Sequence, residues 1–256
     1  MPKQIPTLVT VTSVRSLTPR MVRVTLAGDE LRTFAYDGPD QLVRTFLPNA
    51  TGELTLPVTT EWWPELTAMP EAIRPILRNY TVRRLDPVAA ELDIDFVLHG
   101  ADDGHAGPGS SWAEHARPGD KIGVLSDGAE YRPPADTAWQ LLIGDESALP
   151  AVAAILEQAP AGQSFVVLLE VADEADELPL TMPPATTLRW VHRGSGPRNA
   201  SALAVLRDLE FPPGTPYVWA AGESALATGV RRHLVNDRAV PKDHIYFCGY
   251  WRTSAT

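Results

Sequence analysis

Apolar and polar positions alternate in short runs through the first half of the chain, and the period changes near residue 134. Residues 8–14 (LVTVTSV) are rich in β-branched side chains, and residues 21–26 (MVRVTL) alternate apolar with polar, both of which suit half-buried strands. Further runs of this kind lie at 42–47, 78–84, 92–99 and 119–124, with turn-forming residues at 27–29 and 48–52 between them. Short, closely spaced strands predict an antiparallel, six-stranded β-barrel. Residues 61–77 break the rhythm with Trp62, Trp63, Pro64, Pro70 and Pro75, which predicts an ordered insertion whose tryptophans fill the barrel mouth. The Pro-rich stretch 131–136 marks a boundary, giving domains at 1–134 and 135–256.

Beyond Pro134 the apolar runs become continuous. Residues 139–143, 165–170, 187–192, 217–221 and 244–250 read as buried strands, and helical stretches at 148–158, 202–209 and 224–237 separate most of them. This alternation predicts a parallel-sheet α/β domain with helices on both faces. Such sheets bind ligands outside the carboxyl ends of their strands. Three of those ends carry small residues with charges or hydroxyls: 144–147 (GDES), 192–196 (HRGSG) and 221–224 (AGES). Glycine there is explained by tight turns alone, but three such turns on one edge point to a nucleotide.

Candidate chemistry concentrates in Arg78-Asn79-Tyr80-Thr81. On an extended segment Arg78 and Tyr80 share a face and Thr81 takes the other. Arginine grips phosphate through a forked pair of charge-assisted hydrogen bonds, tyrosine offers a stacking surface, and threonine both donates and accepts. Phosphate, flat ring and ring heteroatom are the parts of a flavin nucleotide. Residues 104–116 (GHAGPGSSWAEHA) run from small residues through hydroxyls into a helix-compatible stretch. The amides and positive dipole end of such a helix suit a pyrophosphate. It is not a dinucleotide fingerprint of the βαβ type, since the third glycine is missing and strands of the barrel precede it.

Charge narrows the classes. The formal net charge is −10, which argues against a general nucleic-acid or anionic-membrane binder while leaving room for a local basic pocket. Cys248 is the one cysteine, so neither a disulfide framework nor a thiolate-held cluster is expected. No His/Cys cluster predicts a metal site. No apolar run is long enough to span a bilayer and no signal peptide is evident, so the expected location is cytoplasmic.

A barrel carrying Arg-x-Tyr-Thr and followed by a nucleotide-binding sheet resembles the ferredoxin–NADP reductase superfamily. It is similar in particular to the siderophore-interacting proteins, a family of flavin-dependent ferric-siderophore reductases. The matching stretches are residues 78–83 (RNYTVR), 95–100 (DFVLHG), 107–113, 144–151 (GDESALPA), 217–223 (YVWAAGE) and 246–252 (YFCGYWR). The resemblance implies FAD held by Arg78 and Asn79 and stacked on Tyr80, with Thr81 near the reactive ring edge. Val97 and His99 would contact the flavin, and Gly109, Ser110, Ser111 and Trp112 would form the pyrophosphate cradle. Asp145, Glu146, Gly222 and Glu223 would line the NADPH or NADH side, and Trp251 would cover the open flavin face. Tyr80, Thr81 and Trp251 are thus the expected residues at the reacting ring. Gly109 stands where the family pattern has alanine, a change expected to be harmless in a phosphate loop.

The implied reaction passes electrons from NAD(P)H through FAD to Fe(III) held by a siderophore, whose hard oxygen donors hold Fe(II) less well. Arg44, Arg132 and Arg252 are the candidate dock for the ferric complex, and Arg193 and Arg198 for an extra phosphate on the nucleotide. Asp173, Glu174 and Asp176 would disfavour that phosphate if they lie nearby. The expected state is a monomer or weak homo-oligomer. Two rival readings are a general NAD(P)H–flavin oxidoreductase with another acceptor and a non-redox siderophore-binding protein.

Overall fold

The computed structural model describes residues 4–99, 107–194, 196 and 200–253. The chain forms two compact units, 1–129 and 130–256. Tyr131 belongs to the second, where its hydroxyl binds the Gln140 side chain and its ring meets Tyr217 edge-on at 5.6 Å.

The first unit is an antiparallel sheet of seven strands rather than six. They are β1 (Thr7–Thr18), β2 (Met21–Ala27), β3 (Leu42–Leu47), β4 (Ile76–Thr81), β5 (Arg84–Asp86), β6 (Glu91–Val97) and β7 (Lys121–Ser126), in the order β4-β3-β7-β1-β2-β6-β5. The additional strand is β5, three residues long. Its Arg84 side chain meets Asp93 at 2.8 Å and Glu91 at 3.1 Å on the neighbouring β6. Period-2 alternation turns Val9, Val11, Val22, Val24, Leu92, Ile94 and Ile122 into one core. The sheet curls far enough that the Tyr80 ring of β4 lies 4.3 Å from the Phe96 ring of β6, giving a barrel-like enclosure completed by side chains. Two buried carboxylates of β6 are matched with arginines: Asp95 takes a forked bond from Arg23 at 2.6 and 2.8 Å, and Asp93 takes Arg84.

The expected insertion contains a short helix, α1 (Trp62–Ala68). Pro64 is tolerated because it sits in the first turn, where its missing N–H has no intrahelical partner to lose. The Trp62 ring packs edge-on against Phe46 at 5.8 Å in a separate cluster with Leu66 and Leu125, on the face of β3 and β7 turned away from the barrel core. Trp63 is exposed, so the tryptophans cover the outside of the sheet and do not fill the barrel mouth. A second helix, α2 (Pro108–His115), follows β6.

The second unit carries β8 (Trp139–Asp145), α3 (Leu149–Gln158), β9 (Phe165–Val171), β10 (Thr186–His192), α4 (Ala200–Arg207), β11 (Pro216–Glu223), α5 (Ser224–Asn236) and β12 (Ile245–Trp251). All pairings are parallel, in the order β10-β9-β8-β11-β12. The chain moves one way from β8 to β10 and the other way from β11 to β12. Right-handed crossovers therefore place α3 on one face and α4 with α5 on the opposite one. Leu206 of α4 and Val230 of α5 accordingly share a core with Leu141, Ile143 and Val218. The order reverses between β8 and β11, the point at which sheets of this type take ligands.

Candidate functional site

In the first unit, strand β4 and helix α2 bring distant parts of the sequence together. Arg78 is exposed on β4, Tyr80 half-buried and Thr81 buried, as alternation requires. The Tyr80 ring rests on Phe96, which in turn lies 5.4 Å from the Trp112 ring of α2. A Cβ on Gly109 would stand 2.0 Å from the Tyr80 hydroxyl oxygen and 3.7 Å from Arg78 Cγ. The absence of a side chain at 109 is therefore what allows the tyrosine to lie over the start of α2. Burial pushes the Tyr80 phenol up to about 12, with the Arg78 charge pulling weakly the other way.

No side chain caps α2, and its first intrahelical bond runs from Ser111 N to Gly107 O at 2.9 Å. The amides of Gly109 and Ser110 precede that bond and remain available. Ser110 contributes differently from the expectation of a phosphate-binding hydroxyl. Its Oγ accepts from His99 N at 2.9 Å and donates to His99 O at 3.2 Å, tying α2 to the end of β6. A Cβ on Gly107 would come within 3.0 Å of the His99 ring, so His99 lies directly against the helix start. Ser111 is exposed, and Val97 closes β6 opposite Met21. Arg78 donates to Leu77 O at 2.7 Å and has no carboxylate partner among the described residues. A guanidinium with no carboxylate partner among the described residues, two helix-start amides with no intrahelical acceptor and an aromatic platform fit the phosphate and ring of a flavin nucleotide.

Arg44 is differently placed from a free docking cation. It forms an ion pair with Asp127, donates to Asn79 Oδ1 at 3.4 Å and lies over the Trp62 ring at 5.1 Å. Asn79 is thus turned toward Arg44.

In the second unit the ends of β8, β11 and β12 converge on Asp145. Its carboxylate accepts Ser147 N at 2.9 Å, Ser147 Oγ at 2.6 Å, Glu223 N at 2.7 Å and Trp251 Nε1 at 2.9 Å. Burial, with the Glu146 charge adding to it, pushes the Asp145 carboxyl above its ordinary value against those donors. Gly222 must be glycine here: its φ is +133° and a Cβ would fall 2.7 Å from Asp145. Glu223 caps α5 by accepting from Ala225 N and Leu226 N, and it also receives Thr253 N at 3.2 Å. Glu146 and Arg193, both expected on the nucleotide side, form a two-point ion pair at 2.7 and 2.8 Å. Arg198 lies outside the described residues. Arg132 and Arg252 are both exposed, and Arg132 donates its main-chain N–H to the Tyr217 hydroxyl at 3.2 Å.

Sequence reasoning missed Phe96 as the underside of Tyr80, although its place in strand β6, one residue before Val97, marks it as inward-facing. It also missed that Asp145 holds Trp251, since the two are 106 residues apart.

An antiparallel barrel-like unit followed by a five-stranded parallel sheet is the architecture of the ferredoxin–NADP reductase fold, shared at only 11% identity with the ferredoxin-NADP+ reductase of Plasmodium falciparum and the FAD/NAD-binding domain of a Vibrio cholerae nitric oxide dioxygenase. Within that class, the siderophore-interacting FAD-binding domain profile matches residues 10–131 and the siderophore-interacting protein profile matches 137–254. The chain belongs to the siderophore-interacting protein family. It is 34% identical to the ferric vibriobactin reductase ViuB of Vibrio cholerae, over 91% of this chain and 84% of that protein. It is 29% identical to the NADPH-dependent ferric-chelate reductase of Escherichia coli, over 94% and 91%. The crystal structure of a siderophore utilization protein from T. fusca matches at TM-score 0.83 and 37% identity, covering 98% and 94%. Among the described residues no helix is long and apolar enough to cross a membrane.

Proposed function

We propose that the protein is a flavin-dependent ferric-siderophore reductase, with FAD on the first domain and NAD(P)H on the second. The observation that carries this reading is the meeting of Arg78, Tyr80 and Gly109 at the open start of α2, in a segment matched by an FAD-binding family profile. The reaction is NAD(P)H plus two Fe(III) giving NAD(P)+, two Fe(II) and a proton. Bound FAD supplies the conversion from a two-electron donor to one-electron acceptors.

Each residue has a task that needs no acid, base or nucleophile. Arg78 and the Gly109 and Ser110 amides hold the pyrophosphate. Tyr80, stiffened by Phe96 from behind, presents a flat face for the ring, and Thr81 offers a hydroxyl at the strand end. Asp145 fixes the Trp251 indole and the turn at Gly222, which orders the nicotinamide side. Arg252, exposed and without a carboxylate partner among the described residues, and Arg132 remain the candidates to meet an anionic ferric chelate. Arg44 is instead neutralised by Asp127.

The purified protein, incubated with FAD and freed of excess, should show oxidised-flavin absorption that bleaches under anaerobic NADPH or NADH. Ferric siderophore added next should restore the oxidised bands while an Fe(II)-specific chelator reports two Fe(II) per nucleotide. A protein that stays colourless, or bleaches without producing Fe(II), sinks the reading.

A further inference from the structure

Val82-Arg83-Arg84 follows directly on the flavin segment, and the strand order shows what it spans. β4 ends at Thr81 and β5 begins at Arg84, yet these two strands are the opposite edges of the seven-stranded sheet. Three chain steps reach about 10 Å at most. The sheet therefore rolls until its edges face each other, and Val82-Arg83 crosses the gap. β5 pairs only with residues 91–93 of β6. Residues 94–97 of β6 thus face β4 across a seam that, among the described residues, carries no backbone ladder.

The seam divides the flavin site. One bank carries Tyr80 and Thr81. The other runs into Val97 and His99, and Ser110 ties His99 to the start of α2. Any change in the width of the seam moves the ring platform of one bank relative to the helix start tied to the other. Sites of this kind work only when held to within about 0.5 Å.

Contacts on both faces close the seam. On the core side the Tyr80 ring meets Phe96, and Val82 is fully buried. The corner is also bonded to both banks, by Val82 N to Gln41 O at 2.8 Å and by Arg83 N to Asp93 O at 2.9 Å. On the outer face alternation sets Asp93 and Asp95 of β6 side by side. The Arg84 guanidinium reaches Asp93 at 2.8 Å, and that of Arg83 stands 3.8 Å from the Asp95 carboxylate. Arg83 and Asp95 expose only 11% and 2% of their side chains, so water and salt screen them less than a surface pair. Their separation is longer than a hydrogen bond, which makes the attraction a matter of charge more than of alignment. Two arginines of one motif therefore do opposite things: Arg78 is open to phosphate, and Arg83 is committed to Asp95. We propose that Arg83 is a positioning residue for the flavin, setting the width of the β4–β6 seam and with it the fit of the ring between Tyr80 and the end of β6. The inference rests on the reading of the first domain as the FAD site.

Arg83→Met keeps an unbranched side chain and removes the charge. Asp95 retains its forked bond from Arg23, so no buried carboxylate is left without a partner and the variant should fold. The whole protein is titrated with FAD, and the fluorescence lifetime and visible circular dichroism of the bound flavin are recorded at saturation. Arg83→Met should weaken FAD by about tenfold, the lower end of what outer partners of a site contribute. The lifetime should lengthen, because a ring held less closely to Tyr80 is quenched less, and the dichroism should fall. Arg83→Lys restores the charge and should recover most of all three. Arg15→Ala, which removes an exposed charge from β1, should change none. Unchanged affinity and spectra in Arg83→Met overturn the proposal and leave the FAD reading standing. So does a loss of affinity at unaltered lifetime and dichroism, which marks a contribution to stability alone, and so does Arg83→Lys behaving no better than Arg83→Met. An unmodified protein that takes up no FAD overturns both.

Discussion

At the scale of single residues, position 109 decides how the aromatic platform sits. A methyl group there meets the Tyr80 hydroxyl at 2.0 Å, far inside contact distance, so Gly109→Ala must push the ring off Phe96 or shift α2. Overpacking of this kind costs about 1–3 kcal/mol, and flavin retention should fall with it. The double variant Gly109→Ala, Tyr80→Phe removes the clashing oxygen and should recover much of the loss, a coupling that a thermal-unfolding cycle would measure. An additive pair would mean that the two residues do not meet. Tyr80 itself makes a second prediction. Burial pushes its folded phenol up to about 12 from an ordinary value of 10.0. The unfolded chain therefore ionises first, so the Tyr80 contribution to stability is complete below pH 10 and is lost as pH rises through 12. Ultraviolet titration should show a late tyrosinate step that is missing in Tyr80→Phe, and a normal step for that residue would refute the burial argument. The sequence displayed Arg78, Tyr80 and Gly109 as separate items of flavin chemistry. That they touch was illegible, because a glycine announces room without saying whose side chain fills it.

At the scale of elements, the ends of β8, β11 and β12 behave as one unit because a single carboxylate collects their donors. Asp145→Asn would replace one acceptor oxygen by an NH2, facing either the Trp251 indole and Glu223 amide, which share Oδ2, or the Ser147 amide and hydroxyl on Oδ1. Leaving such donors unsatisfied costs about 1–3 kcal/mol. The expected results are a lower unfolding midpoint and a shifted Trp251 indole N–H resonance, with the barrel resonances unchanged. An unmoved indole signal would show that Asp145 does not hold Trp251. The three strand ends were legible from their glycines and polar residues, and the sheet confirms two of them as one cluster. The ion pair of Glu146 with Arg193 was not legible. Two charges 47 residues apart read as two ligand contacts until the fold sets them face to face. Strand β5 escaped notice for a related reason: three residues cannot show a period, and pairing by Arg84 with Asp93 and Glu91 defines it instead. Helix α1 escaped because Pro64 reads as a breaker unless its place in the first turn is known.

At the scale of the whole molecule, the change of period near Pro134 exposed the two-part architecture, since period-2 strands and continuous buried strands are different answers to how many faces a sheet hides. Net charge was equally legible, and it sets up a conflict between long and short range. A chain of formal charge −10 repels an anionic nucleotide from a distance, while the cations that would hold its phosphates attract it on contact. The Debye length shrinks from about 30 Å at 0.01 M salt to about 10 Å at 0.1 M. Salt over that range therefore removes the distant repulsion first and weakens the contacts as well. Stopped-flow tryptophan fluorescence should find the association rate for NADP+ rising with salt, and the dissociation rate rising too as the phosphate contacts are screened. An association rate that falls with salt would mean instead that a local positive field at the nucleotide site reaches past the acidic surface and steers the nucleotide as well as holding it.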